Sequence, residues 1–430
     1  MKEARPKDDL RPVRQRIARW KVLLLIGAAV PLALVAFGAY QLKMNPAFGG
    51  TPSGERLARM QQSPQWRVGR FENPQPQWAD LRSAWTRFLF GRTSPHAEPD
   101  APIPVVRTDA RSLEAPPASG LRATWLGHSS ALIEIDGGTV LIDPVWSERP
   151  SPLPWIGPKR WYAPPVALDA LRDKVDAVVI SHDHYDHLDY ATIHAMATWR
   201  TLFVVPLGVG AHLLRWGIPE ARIRELDWWE STWVGGLELV ATPARHSSGR
   251  FSFGPRPLWA GFAVIGARHR VWYSGDSGFH ATLSDIGERL GPFDLTLIDV
   301  GQYDADWPDA HLGPELAVQA HRRVRGEAML PVHWALIKQA NHAWTEPVER
   351  VFAAARCHSV TVLTPRPGEG IEPTRAAPVR PWWPALPWNN ADEAPVRATE
   401  AGSPSHRVRG DTCSDPPAAQ TIAPHAGDRP

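Results

Sequence analysis

The sequence VVISHDHYDHL occupies residues 178–188. Three apolar β-formers predict a buried strand, and four side chains that can bind metal follow it within six residues: His182, His184, Asp186 and His187. A rigid strand that ends in a ligand-rich loop is suited to preorganising a metal site. Imidazole and carboxylate ligands without a thiolate suit zinc, manganese or iron, and zinc is the commonest choice for hydrolysis. The stretch therefore predicts a hydrolytic metal centre.

The spacing His-x-His-x-Asp-His resembles the signature of the metallo-β-lactamase superfamily. Members of that superfamily carry a further His, Asp and His at later strand ends, and this chain supplies those residue types in that order. The resemblance implies one metal ion on three histidines, a second on an aspartate and two histidines, and an aspartate that bridges both. In that order the residues are His182, His184 and His246; Asp186, His187 and His333; and Asp276.

The same resemblance implies an α/β (α+β) fold, the metallo-β-lactamase αββα four-layer sandwich. Two facing mixed sheets would carry helices on their outer sides and metals at one edge. Two Zn²⁺ ions, with Mn²⁺ or Fe²⁺ as options, would share a water and lower its pKa toward neutrality. We expect Asp186, Asp276 and Asp143 to be the catalytic carboxylates, with Asp143 orienting a ligand or the bridging water.

Two further sequence segments indicate a particular branch of this superfamily. Residues 124–130 read TWLGHSS and residues 225–230 read ELDWWE, and both resemble the N-acyl-phosphatidylethanolamine-hydrolysing phospholipase D family. That family cuts a membrane phospholipid on the far side of the phosphate, leaving phosphatidic acid and an N-acylethanolamine. The chain departs from the family at Ser247, at 310–316 and at 335–337, so its head-group preference stays open.

Three residues are candidates for contact with substrate. His311 matches a family position that contacts substrate, although a solvated histidine at a helix start is an alternative. Arg160 suits a phosphate, although most such side chains are plain surface charge. His128 ends a strand near the metals and either supports them or is a buried, satisfied side chain. We expect the adjacent Trp228 and Trp229 to pack inside the protein and not to contact lipid.

We therefore expect a membrane-tethered, zinc-dependent phosphodiesterase of phospholipase D type. One alternative is a metal-dependent hydrolase of a soluble lactone or sugar derivative, similar to ascorbate lactonases. Another is a non-catalytic, membrane-bound module that keeps its metals as a folding staple. The intact set of seven ligands argues against this last alternative.

The sequence divides into five regions. A basic cytoplasmic N-terminus (1–21) precedes an uncharged run (22–42) that is just long enough to cross a hydrocarbon core of about 30 Å. A lead-in and linker (43–120) with a candidate interfacial helix at 78–90 leads to the hydrolase domain (121–370). A Pro-rich tail (371–430) is expected to be disordered.

Basic residues crowd the N-terminal side of the uncharged run, so the N-terminus should stay cytoplasmic and the catalytic domain should be extracytoplasmic. That compartment is the periplasm if the source is a Gram-negative bacterium. Cleavage of residues 1–38 as a signal peptide is the alternative to an uncleaved single-pass anchor.

Composition limits the partners. A net charge of +2 gives no argument for nucleic acid, and two cysteines exclude a disulfide framework. The expected partners are the membrane and a phospholipid substrate, with a homodimer left open.

Overall fold

The computed structural model describes residues 11–90, 94–108, 115–250, 254–375 and 381–410. Its α-helices are α1 (Arg11–Met44), α2 (Gly54–Gln62), α3 (Leu81–Phe90), α4 (Tyr190–Ala195), α5 (Gly210–Arg215), α6 (Leu283–Leu290), α7 (Gly313–Arg323) and α8 (Glu346–Cys357). Its strands are β1 (Trp66–Arg67), β2 (Arg70–Phe71), β3 (Leu121–Gly127), β4 (Ser130–Ile135), β5 (Gly138–Ile142), β6 (Ala177–Val179), β7 (Leu202–Pro206), β8 (Ile223–Leu226), β9 (Ser231–Val234), β10 (Leu237–Thr242), β11 (Gly261–Ile265), β12 (Arg270–Tyr273), β13 (Phe293–Asp299), β14 (Gly326–Val332), β15 (Thr361–Val362), β16 (Gly370–Ile371), β17 (Arg397–Thr399) and β18 (Arg407–Arg409).

Two seven-stranded mixed sheets form the body of the protein. The first has the order β16-β3-β4-β5-β6-β7-β8, and the second has the order β15-β14-β13-β12-β11-β10-β9. Strands β3 to β5 are antiparallel and β5 to β8 are parallel. The second sheet repeats this plan, with β9 to β12 antiparallel and β12 to β15 parallel.

The apolar run that precedes the histidines is buried on both sides. Ala177 and Val179 of β6 lie in the core that also contains residues of the second sheet, such as Phe262. Val178 and Ile180 point the other way, into the cluster that contains Ile193 of α4 and Leu213 of α5. Such two-sided burial is typical of parallel strands covered by helices. Helix α7 packs on β13 and β14, so the order of layers is the four-layer sandwich that the sequence predicts.

The residues Asp136-Gly137-Gly138 between two runs of β-formers predict a hairpin, and the structure contains it. Ile135 pairs with Gly138 across the two residues Asp136 and Gly137, whose φ angles are 48° and 90°. Positive φ at both central positions is the geometry of the tight turn that matches strand twist.

The N-terminal anchor remains a prediction. Residues 1–10 lie outside the described residues, and so do the side chains of α1 before Gly27. Among the described residues no helix meets the length and apolarity of a membrane span. The anchor predicted over 22–42 is therefore not shown.

The lead-in packs on the hydrolase domain. Ala47 and Met60 are buried, and the Arg250 guanidinium donates to the Ala47 carbonyl at 2.9 Å. Part of the predicted linker is also attached, because the Val106 amide donates to the Pro367 carbonyl at 2.9 Å. The lead-in therefore forms part of the domain surface.

The C-terminal segment 381–410 corrects the expectation of a disordered tail. Strand β17 pairs with β18, and Trp383, Ala398 and Thr399 are buried. Trp383 packs against Trp334 and donates from Nε1 to Glu349 at 2.7 Å. Low periodicity hid this order because the segment is held by a few anchoring side chains, not by long elements. Residues 376–380 and 411–430 lie outside the described residues.

Replacing Trp383 by alanine should lower the free energy of unfolding by about 3–5 kcal/mol, because it leaves a cavity beside Trp334. Chemical denaturation measures this change. The matched control is Trp155→Ala, since Trp155 is 59% exposed and such a change stays within about 0.5 kcal/mol. Equal stability of the two variants would support the disordered tail instead.

Candidate metal centre

Four loops bring the predicted metal ligands to one edge of the two sheets. Residues 182–187 follow β6, His246 follows β10, Asp276 follows β12 and His333 follows β14. Gly275 permits the close approach of two of these loops. Its φ is 59°, and a Cβ there would lie 2.8 Å from the Ala260 carbonyl oxygen and 3.0 Å from the Ser181 Cβ.

The first donor group consists of three imidazoles and one carboxylate. His184 Nδ1 lies 2.9 Å from His182 Nε2 and 3.2 Å from His246 Nε2. Asp276 Oδ2 lies 3.7 Å from each of those two Nε2 atoms. All four donor atoms lie within 4.8 Å of one another, so this group can hold a metal ion.

The second donor group shares Asp276 with the first. Asp276 Oδ2 lies 3.1 Å from His187 Nε2 and 3.2 Å from His333 Nε2. Asp186 Oδ2 lies 3.5 Å from each of the same two nitrogens. The geometry thus matches two adjacent donor sets with one carboxylate common to both.

Buried donor atoms in these groups lack hydrogen-bond partners. They include His187 Nε2, His333 Nε2 and Asp276 Oδ1. Native proteins leave few buried polar atoms unpaired, and a bound ion is one of the usual reasons. The residues present therefore fit a metal cofactor.

The electrostatics differ between the two groups. Burial lowers the pKa of His182 well below its usual value, and the imidazoles of His187 and His184 lower it further. Burial also lowers the pKa of His246 to about 3. These imidazoles are therefore neutral at pH 7, which is the form that binds metal. In the second group, burial opposes protonation, but Asp276 and Asp186 outweigh it and raise the pKa of His187 well above its usual value. The second group thus attracts positive charge.

The outer nitrogens of the ligand histidines are oriented by neighbours. His182 Nδ1 lies 2.9 Å from Ser181 Oγ, and His246 Nδ1 lies 3.0 Å from the Ala310 carbonyl oxygen. His187 Nδ1 lies 2.7 Å from Asp143 Oδ2. His333 Nδ1 lies 3.3 Å from Asp299 Oδ1, a charge contact without hydrogen-bond geometry. Hydrogen-bonded partners fix the ring orientation and tautomer of a metal ligand.

Asp143 lies behind the donor groups. Its carboxylate is fully buried and accepts from the Ser181 amide at 2.7 Å, from Ser181 Oγ at 2.6 Å and from the Tyr273 hydroxyl at 2.6 Å. With His187 as the fourth partner, Asp143 orients a ligand, as the sequence led us to expect. None of these four bonds points toward the substrate side of the centre, so they do not give Asp143 the role of a catalytic base.

Two of the three predicted substrate residues lie beside the donor groups. His128 is buried, and its Nε2 lies 3.0 Å from Asp186 Oδ2. Burial lowers the pKa of His128 to about 4, so the neutral ring donates to Asp186. This contact makes His128 a support for Asp186. His311 Nδ1 lies 2.9 Å from Asp299 Oδ2 and 3.9 Å from Asp276 Oδ2.

Arg160 has a different role from the one predicted. It is buried, and its guanidinium donates to the carbonyls of Tyr162 at 2.7 Å and Val145 at 3.2 Å. These bonds hold the 145–162 loop, and none of them reaches the donor groups.

A cavity of about 970 Å³ opens from the donor groups to the surface. His184 and Asp186 lie at its inner end, and Leu81 and Ala84 of α3 form part of its wall. Its apolar wall also includes Pro150, Pro158 and Trp307, and its cationic residues are Arg256 and Lys338. A lead-in helix thus forms part of the entrance.

Sequence reasoning missed two residues of the centre. Asp299 follows Leu297-Ile298, as Asp143 follows Leu141-Ile142, and this repeated word was a usable signal. Gln339 lines the cavity and donates from Nε2 to Asp186 Oδ2 at 2.8 Å. Nothing in the local sequence distinguishes this glutamine, because its position is set by Gln302, whose Oε1 accepts from the Gln339 amide at 2.9 Å.

Known proteins resemble this chain in sequence and in fold. A family model described as a beta-lactamase superfamily domain matches residues 138–334. An uncharacterised protein of Mycobacterium tuberculosis is 45% identical over 366 residues, which cover 83% of this chain and 97% of that protein. N-acyl-phosphatidylethanolamine-hydrolyzing phospholipase D 1 of Caenorhabditis elegans is 38% identical over 248 residues, covering 55% of this chain and 69% of that protein. A solved metallo hydrolase of Ignicoccus hospitalis aligns with a TM-score of 0.46 and 24% identity, covering 58% of this chain and 97% of the other.

Replacing Asp143 by asparagine should weaken zinc binding by about 10–100-fold, because the amide cannot accept from every donor that surrounds the carboxylate. Competition with a chromophoric chelator measures the affinity. Asp136→Asn is the matched control, since Asp136 lies in the hairpin turn and pairs with His269. Unchanged zinc affinity in Asp143→Asn would contradict the orienting role.

Proposed function

Because the chain belongs to the metallo-β-lactamase superfamily and is a metal-dependent hydrolase, we propose that it is a binuclear zinc phosphodiesterase. Its substrates are N-acyl-phosphatidylethanolamine-like phospholipids, which it cleaves as a phospholipase D does. The observation that carries the proposal is the large cavity that leads to the shared donor groups. Its lining is largely apolar and contains two cationic side chains, Arg256 and Lys338, together with the carboxylates of Asp304 and Asp306.

The ligand assignment follows the two groups. His182, His184 and His246 would hold one ion; Asp186, His187 and His333 would hold the other; and Asp276 would be common to both. Two bound divalent ions lower the pKa of a shared water and stabilise negative charge on the reacting phosphate.

The cavity walls suit a phospholipid. Among the described residues, Glu98 lies 3.8 Å from the Lys338 ammonium group, beyond hydrogen-bond distance, so the ammonium group is accessible to an anion. Such an exposed pair contributes little by itself. Leu81, Trp307 and the two prolines offer apolar surface for acyl chains, and water exclusion there strengthens the attraction between Lys338 and phosphate.

His311 is the best candidate for a direct contact with the phosphate. Asp299 accepts a hydrogen bond from Nδ1, so Nε2 is the nitrogen that is left to face a substrate, and it donates to a phosphate oxygen when the ring is an imidazolium. Asp299 also contacts His333, so one carboxylate would align a ligand and a substrate contact together.

The membrane tether belongs to the same proposal. Residues 22–42 carry no charge and follow a basic segment. The side chains of Leu32, Leu34 and Val35 in α1 are exposed, as are Leu81 at the cavity mouth and Trp155 in the 150–158 loop.

Zinc-loaded protein should convert vesicles of N-acyl-phosphatidylethanolamine into phosphatidic acid and N-acylethanolamine, measured by mass spectrometry. His184→Ala should lose this activity and bind one zinc ion fewer, because it removes one of the three imidazoles of the first group. A wild-type protein that hydrolyses lactones well but leaves every phospholipid head group intact would refute the proposal in favour of the lactonase alternative.

Lys338→Met should raise KM for the anionic phospholipid about tenfold with a smaller change in kcat, since it removes a partly exposed charge whose attraction to phosphate is worth roughly 1–2 kcal/mol. Lys159→Met is the matched control, because Lys159 is exposed and pairs with Glu148 outside the cavity. Equal KM values for the two variants would remove Lys338 from the phosphate site.

A further inference from the structure

The side chains of Arg245 and Asp309 form a buried ion pair next to the first donor group. Arg245 Nη1 lies 2.8 Å from Asp309 Oδ1, and both residues are almost completely buried. Arg245 directly precedes His246 in the chain. Asp309 directly precedes Ala310, whose carbonyl oxygen lies 3.0 Å from His246 Nδ1. The pair therefore connects the segment that carries a ligand to the segment that orients that ligand.

The C-terminal segment closes this pair. The Thr399 amide donates to Asp309 Oδ1 at 2.6 Å, and the Thr399 hydroxyl donates to Asp309 Oδ2 at 2.5 Å. The Thr399 carbonyl accepts from Arg245 Nη1 at 2.8 Å. Thr399 is thus bonded to both charged partners and is itself fully buried.

The lead-in contacts the same pair from its own side. The Gln77 side-chain amide donates to the Arg245 carbonyl at 3.0 Å and to the Asp309 carbonyl at 2.9 Å. The Trp78 amide donates to Asp309 Oδ2 at 2.8 Å. The Asn73 side-chain amide donates to the His246 carbonyl at 2.8 Å. Two segments distant in sequence therefore fix the backbone on both sides of one ligand.

We propose that Thr399 is a positioning residue for the metal centre: with Arg245 and Asp309 it sets the orientation of His246 and hence the affinity of the first donor group for its ion. The inference rests on the proposed binuclear centre. It assigns a function to a C-terminal segment that lies beyond the residues matched by the family model.

The physical reason is the rigidity of a satisfied buried charge. A buried Arg–Asp pair is stable only when its remaining donors and acceptors are bonded, so removal of one partner forces the others to rearrange. Here the charged side chains belong to residues 245 and 309, so their rearrangement acts on the backbone of residues 245–246 and 309–310. A shift there changes the direction of the His246 lone pair, and the second donor group has no ligand in either segment.

The test uses the full-length protein with zinc and two substitutions of opposite design. Thr399→Val keeps the shape of the side chain and both backbone bonds but removes the hydroxyl. Thr399→Ser keeps the hydroxyl and removes the methyl group. Zinc affinity is measured ion by ion with a chromophoric chelator, and the absorption spectrum of the cobalt-substituted protein reports the geometry of the site.

We expect Thr399→Val to weaken the affinity for one of the two zinc ions about tenfold and to change the absorption spectrum of the cobalt-substituted protein. The affinity for the other ion should be unaffected. Thr399→Ser should retain the affinity of the wild type. Val351→Ala, a fully buried change in α8, serves as a control for loss of stability alone and should leave both affinities unchanged.

A wild-type affinity for both ions in Thr399→Val would overturn the inference while the proposed function stands. Equal weakening of both ions, or the same loss in Val351→Ala, would also overturn it and assign Thr399 a purely structural role. A wild-type protein that binds fewer than two zinc ions would instead refute the binuclear centre on which the inference rests.

Discussion

The carboxylate of Asp276 is the point on which both donor groups depend. Its Oδ2 atom lies between 3.1 and 3.7 Å from four imidazole nitrogens that come from three other loops. Buried lone pairs at such distances repel one another unless positive charge lies among them, and burying them unpaired is unfavourable. The fold holds them there because each loop follows a strand whose position is fixed by the two packed sheets. Metal binding and folding are therefore coupled in this protein.

Around this point the protein builds a second layer of carboxylates and carbonyls. Asp143 and Asp299 each stand at the end of a Leu-Ile-Asp sequence and next to one histidine of the second group: Asp143 bonds to His187, and Asp299 lies 3.3 Å from His333 Nδ1. Several residues of the donor groups and their surroundings have positive φ angles, among them His128 (52°), Asp143 (37°) and His333 (68°). Such backbone conformations persist only where the surrounding structure over-determines them, and they concentrate at functional sites.

The cavity is lined by regions that lie far apart in the sequence. The metal-facing end comes from the central motif, whereas the entrance is formed by α3 and the 150–158 loop. The lead-in and the C-terminal segment both reach the backbone beside His246 through the Arg245–Asp309 pair. Segments outside the matched superfamily domain therefore shape both the entrance and the first donor group, and substrate preference can change there without a change in the ligands.

The sequence by itself determined the strand before His182, the hairpin at Asp136-Gly137 and the four candidate ligands at 182–187, because periodicity, turn residues and motif spacing are local properties. The two-sheet architecture and the ligands His246, Asp276 and His333 were implied by its resemblance to a known superfamily. It did not reveal Gln339 as a partner of Asp186, and it assigned Arg160 to phosphate when its guanidinium holds a loop. It also placed Thr399 in a disordered tail. Those roles depend on which distant backbone atoms lie within about 3 Å of a side chain, the reach of a hydrogen bond. Only the packing of the two sheets, the lead-in and the C-terminal segment against one another decides those distances.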